Sequence, residues 1–108
     1  MEQRNIYEKL RELQSQGERI AVATVIRTWG STPREVGAKM IIRASGEIHG
    51  TVGGGCGEAE VWQEAMRVLK DGVPRVVTVD LTHEAGIAED AICGGKMGIF
   101  VEPWPSSR

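Results

Sequence analysis

The chain has 108 residues, of which 41% are hydrophobic and 26% charged, and a formal net charge of −2. That is the composition of one ordinary soluble domain, and the weak acidic balance argues against broad, non-specific nucleic-acid binding. No apolar run approaches the roughly 20 residues of a membrane span, and the charged start Met1-Glu2-Gln3-Arg4 is no signal peptide, so cytoplasm is the expected compartment. There the two cysteines, Cys56 and Cys93, are expected to be thiols rather than a disulfide. Fourteen glycines exceed the usual rate of about 7%. Aromatic residues are only 5%, which leaves the core mainly aliphatic.

Asn5 to Gln16 reads as a helix, with Ile6, Leu10 and Leu13 on one stripe and Gly17 placed to end it. Arg19 to Trp29 is β-branched and nearly continuous in apolar character, as in a central strand covered on both faces. Pro33, Gly30 and Gly37 make 30–37 a loop. Lys39 to Arg43 and Glu47 to Val52 form short strands around a Ser45-Gly46 turn. Glu58 to Lys70 reads as a helix burying Trp62, Ala65, Met66 and Leu69, with Asp71-Gly72 at its end. Pro74 to Thr82 is a strand, His83 to Ala91 a polar loop, and Met97 to Glu102 a last strand. Pro103-Trp104-Pro105 and the Ser-Ser-Arg end read as a stop or the start of a linker. Trp29 and Trp62 are expected in the core and Trp104 at the surface. This order predicts a single compact α/β domain, a mixed β-sheet with helices packed on it. The strand, glycine loop, helix and strand around residue 55 form one crossover, with the loops gathered at one edge of the sheet.

The organising stretch is Thr51-Val52-Gly53-Gly54-Gly55-Cys56-Gly57-Glu58, between a strand and a helix. Gly53, Gly54 and Gly55 admit a cradle for an anion at a helix start, or a tight turn packed on a neighbour. The run fits neither the P-loop nor the dinucleotide fingerprint, since Glu58 stands at the sixth place. Cys56 is either a small buried residue or a thiolate favoured by the helix N-terminus, fit for sulfur chemistry or metal ligation. Cys93, in Cys93-Gly94-Gly95, carries the same alternatives. Two thiolates lack the partners of a zinc site, and His49 and His83 are not at finger spacing. Ser31, Thr32, Arg34 and Lys39 suit phosphate, or form a solvated loop. Glu58, Glu60, Glu84, Glu89 and Asp90 have no pairing in sequence, and Glu58 also reads as a first-turn acid favoured by the helix dipole.

Taken together, Trp29-Gly30-Ser31-Thr32-Pro33-Arg34, Gly37-Ala38-Lys39-Met40, Gly46, Gly50-Thr51-Val52-Gly53-Gly54-Gly55-Cys56 and Cys93-Gly94-Gly95 resemble the N-terminal domain of the xanthine dehydrogenase accessory factor family, XdhC/CoxI. The resemblance spans roughly residues 5–102. It implies a maturation factor for molybdenum hydroxylases of the xanthine or CO dehydrogenase type. Such a factor binds molybdenum cofactor, a pterin with a phosphate and a dithiolene, and aids its sulfuration or insertion. It implies a cofactor site at Ser31, Arg34, Lys39, Gly53, Gly54, Gly55, Cys56, Cys93, Gly94 and Gly95, with Cys56 as the molybdenum ligand or sulfur carrier. Members of the family commonly carry a second, Rossmann-like domain after this one, and the sequence through Arg108 does not contain it. The expected partners are therefore a molybdenum hydroxylase client, a separate Rossmann-like subunit or a cysteine desulfurase, and further copies of the chain in a homo-oligomer; no nucleic acid or membrane is expected. The leading reading is a cofactor chaperone without turnover of its own. The alternatives are a thiol-dependent sulfur transferase or redox enzyme using Cys56, and a structural or regulatory subunit whose glycines only shape turns.

Overall fold

In a computed structural model, which describes residues 2–53, 57–81 and 94–104, two helices and five strands follow one another. They are α1 (Glu2–Ser15), β1 (Ile20–Trp29), β2 (Lys39–Arg43), β3 (Ile48–Gly50), α2 (Glu58–Asp71), β4 (Arg75–Asp80) and β5 (Lys96–Trp104). The strands form one sheet in the order β3-β2-β1-β5-β4. Every adjacent pair is antiparallel. The expected α/β layering is present. Within the sheet β1, β3 and β4 run one way and β2 and β5 the other, and α2 joins β3 and β4 at its opposite edges. The loop expected at His83–Ala91 and the tail from Pro105 lie outside the described residues.

The alternation along β1 explains why it reads as apolar throughout. Ile20 and Val22, with Ile41 of β2, meet Ile6, Leu10 and Leu13 of α1 on one face. Ala21, Ala23 and Val25 point the other way, into a larger core with Val61, Ala65, Val68 and Leu69 of α2. Each buried branched side chain here contributes about 1.5–3 kcal/mol. The two alanines are small, which makes room for the valines of the helix. The buried face of α2 therefore includes Val61 and Val68, while Trp62 and Met66, expected inside, are only partly buried at its margin. Trp62 instead lies across the β2–β3 turn and donates its indole N–H to the Gly46 carbonyl at 3.1 Å.

The cover on the α1 face stops halfway along β1. A bulge between Val25 and Arg27 shifts the register with β5, and beyond it Ile26 and Trp29 are exposed. Trp29 is thus no core residue: apolar character places it inside, but neither described helix covers that half of the face. Trp104 departs in the opposite sense. It is half-buried against the α1 cluster, with its indole N–H on Gln14 Oε1 at 3.3 Å.

At the end of the sheet where β2 turns into β3, side chains clamp the elements. Arg43 forks the Glu18 carboxylate at 2.6 and 2.8 Å and reaches Glu47 at 2.7 Å. The Arg43 hydrogen bonds hold the Glu18 carboxyl below its ordinary value, and raise the arginine in turn. Arg19 donates to the Leu69 carbonyl near the C-terminus of α2, where a cation is favoured. Asp71 is held low by its hydrogen bond from Arg75 and by the Val73 amide.

Candidate functional site

The opposite end of the sheet collects the loops. β1, β3 and β4 end there, while β2 and β5 begin there, as the antiparallel register requires. Loop 30–38, the start of α2 and both flanks of segment 82–93 therefore share one edge, as expected from the sequence. Two close approaches tie them together. A Cβ on Gly57 would stand 2.4 Å from Val79 Cγ1, so the start of α2 rests directly on β4. A Cβ on Gly95 would stand 2.0 Å from the Trp29 carbonyl oxygen. Gly94 N–H adds a hydrogen bond to the Ser31 carbonyl at 3.2 Å, and Leu81 N–H one to the Gly95 carbonyl at 2.9 Å.

The polar groups assemble at the mouth of the glycine loop. The Thr51 hydroxyl donates to the Glu58 carboxylate and accepts the Gly53 amide at 3.2 Å, so it closes the loop locally. Arg34 reaches over from loop 30–38 and donates to the Thr51 carbonyl at 3.5 Å. The Thr32 hydroxyl, at 3.0 Å from the Arg34 carbonyl, shapes the turn that presents this arginine. α2 opens on Gly57, which has no side chain to cap the first amides, and Glu58 and Glu60 supply negative charge in the first turn.

Of the sequence-predicted residues, Arg34 and Gly53 meet at Thr51, and Ser31, Gly94 and Gly95 meet at the end of β1. Lys39 stands apart from these contacts, on β2, with its ammonium on the Thr24 hydroxyl at 2.9 Å. Gly54, Gly55, Cys56 and Cys93 lie outside the described residues, as do His83, Glu84, Glu89 and Asp90. Gly95 has a packing reason to be glycine that needs no ligand. Among the described residues, no three His, Cys, Asp or Glu side chains gather as metal ligands. The Thr51–Glu58 pair was not legible beforehand, because only the loop's bend brings two residues seven apart together.

Three grooves open nearby. One of about 360 Å³ follows Pro33 to Ala38 and includes Arg34. One of about 390 Å³ lies between Trp29, Gly30, Thr78, Gly94, Gly95 and Lys96. The largest, about 630 Å³, runs between α1 and β3 and shares only Thr51 with the polar cluster. Its size does not make it the site, since the converging polar groups are elsewhere.

Residues 13–80 match the XdhC and CoxI family. The chain belongs to that family. It is similar to an uncharacterized protein, YqeB, of Escherichia coli strain K12, with 35% identity over 97 residues. That match covers 90% of this chain and 18% of the relative. A crystal structure described as a xanthine dehydrogenase from Bacillus halodurans superposes with a TM-score of 0.76 at 31% identity. It is matched over 89% of this chain and 29% of its own length. The chain thus spans less than a third of either relative. The XdhC and CoxI match takes in loop 30–38, the glycine loop and all of α2. Among the described residues, no helix is long and apolar enough to cross a membrane.

Proposed function

We propose that the chain is the cofactor-handling part of an accessory factor for molybdenum hydroxylases, binding molybdenum cofactor and aiding its sulfuration or insertion. Membership of the XdhC and CoxI family supports the class, and the description of the solved relative as a xanthine dehydrogenase supports the client. The observation that carries the reading is Arg34, anchored on the Thr51 carbonyl at the mouth of a glycine loop that opens a helix.

The donor set fits the phosphate end of such a cofactor. A guanidinium binds phosphate with two donors in a fixed fork, and the first amides of a helix add to it. Ser31 extends the polar rim, Lys39 adds positive charge from β2 at the same end of the sheet, and the glycines at 53–55 and 94 let a ligand approach the backbone. The metal and dithiolene end needs soft donors, and the sequence supplies them as Cys56 and Cys93 beside those glycines. In this reading Cys56 ligates the metal or carries its sulfur, and Cys93 is a second thiol. When bound, the cofactor supplies the molybdenum and pterin that the client uses. The chain itself only holds, orients and releases it. A client hydroxylase, a Rossmann-like subunit, a cysteine desulfurase and further copies of the chain are its proposed partners.

Purification from a molybdenum-replete host, followed by metal and pterin analysis, tests this. Molybdenum and pterin should co-elute with the chain. Arg34→Ala should weaken pterin binding by about 1–3 kcal/mol, the worth of a lost charge-assisted bond. Cys56→Ser should leave the fold intact and abolish client maturation. A chain that retains neither metal nor pterin, and matures its client normally as Cys56→Ser, would sink the proposal.

A further inference from the structure

The groove beside Trp29 has features that the phosphate-binding loop does not account for. It lies on the face of the sheet that α1 leaves bare among the described residues, past the bulge in β1, and measures about 390 Å³, within the range of small-molecule sites. Its wall is Trp29, a large apolar ring left 44% exposed. The Arg27 guanidinium lies 5.6 Å from the ring centroid and steadies the indole by a cation–π contact.

Its glycines fall into two kinds. Gly95 must be glycine, because the Trp29 backbone leaves no space for a Cβ. Gly94 has no such reason: it does not take a positive φ, and a Cβ there would meet nothing within 4 Å. Gly98, in the middle of β5, borders the groove without lining it, since a Cβ there would touch Arg27, Ile26 and Trp29 at 3.5–3.9 Å. At Gly94 the absent side chain leaves a flat floor beside an exposed indole.

Polar groups stand at the rim. The register puts Lys96 opposite Trp29 on one side and Asp80 on the other, and Thr78 opposite Gly98. Lys96 offers donors, and the Thr78 hydroxyl both donates and accepts. Because the row across the face carries both signs, it suits the polar edge of a neutral ring better than a bare anion.

We propose that this groove seats a planar, oxo-substituted heteroaromatic ring, stacked on Trp29 over the Gly94–Gly95 floor and hydrogen-bonded at its edge by Thr78 and Lys96. Pterins and guanine share that chemistry. The choice of a pterin rests on the proposed function, and the groove itself does not.

The test is calorimetric titration of the whole chain with two probes, 6-hydroxymethylpterin and guanosine. The pterin should bind saturably and more tightly than guanosine. Trp29→Leu should lower its affinity about tenfold or more, the usual scale of a lost ring stack, while Trp29→Phe retains most of it. Gly94→Val should fill the groove and block binding with an unchanged melting temperature, since none of the described residues occupies that space. Tighter binding of guanosine would overturn the assignment to a pterin. Pterin affinity unmoved by both Trp29→Leu and Gly94→Val, or no saturable binding of either probe, would overturn the groove. A chain that still co-purified with cofactor would then keep the proposed function with the ring seated elsewhere. Binding in the groove without retained molybdenum or pterin would do the reverse.

Discussion

The two ends of α2 offer a controlled comparison. Gly57 before it and Gly72 after it have the same φ of 74°. Around Gly72 a Cβ would meet nothing within 4 Å, and the residue serves only the helix, donating to the Val68 carbonyl at 2.7 Å in the αL manner. Around Gly57 a Cβ would collide with Val79. One glycine answers a local need for a left-handed turn. The other answers that need and also the close packing of a helix on a strand from a distant part of the chain. The same division holds for the two ends of the sheet. Ion pairs and turns hold the Glu18–Arg43–Glu47 end, and at the loop-bearing end glycines with no room for a Cβ let the chain pack closely.

Gly95→Ala should be the most damaging change at the loop-bearing end. The obstructing atom is the Trp29 carbonyl oxygen, backbone that cannot rotate away, so a loss of about 3 kcal/mol or more is expected in denaturant unfolding. A loss below 1 kcal/mol would show that this end is looser than the packing implies.

Gly57→Ala and Gly72→Ala form the sharper pair. Gly72→Ala should cost about 1–2 kcal/mol, the left-handed penalty alone. Gly57→Ala should cost that plus about 1–3 kcal/mol of overpacking. Adding Val79→Ala should recover part of the second contribution, because the obstructing atom is a side-chain methyl. Equal costs at the two ends, with no coupling to Val79, would refute the distinction.

The smallest effect belongs to the ionic end. Glu18 is held below its ordinary value chiefly by the Arg43 hydrogen bond, so the unfolded chain takes up its proton at higher pH than the native one. The stability this gives is complete above the ordinary glutamate value of about 4.3 and is lost as pH falls through the lowered native value. Thermal melts of Glu18→Gln between neutral and acid pH should therefore show a shallower acid decline than wild type. Parallel curves would mean that the half-buried pair adds nothing, as many pairs near the surface do.

The sequence was most informative where the physics is local. Lys39–Arg43 matches β2 at both ends, and Glu58 begins α2, because alternation, turn glycines and first-turn acids act over a few residues. What was illegible depends on partners far away in sequence. Nothing near residue 20 says that β1 will lie against β5, or that α1 will cover only half of its face. Trp29 and Trp104 were misplaced for that reason. The helical stripe of α2 was readable, but its centre was not, since the small Ala21 and Ala23 draw in Val61 and Val68 and leave the larger Trp62 at the margin. At the candidate site the loop that carries Arg34 was legible from its Pro and Gly residues, and its neighbour Thr51 was not. Whether a glycine packs against a neighbour or stands clear is decided by chain distant in sequence, as Gly95 and Gly94 show among the described residues.

The pairing of β1 with β5 also has a consequence for synthesis. A ribosome delivers β1, β2 and β3 first, and these can form a meander at once. The other edge of β1, ten residues long and central in the finished sheet, then waits for a strand that emerges only after residue 96. Until then an apolar strand edge stands open, which is the condition under which nascent chains associate wrongly. Co-translational protection of this chain is expected to be needed most while residues 30 to 95 are being added, and to end when β5 closes over β1.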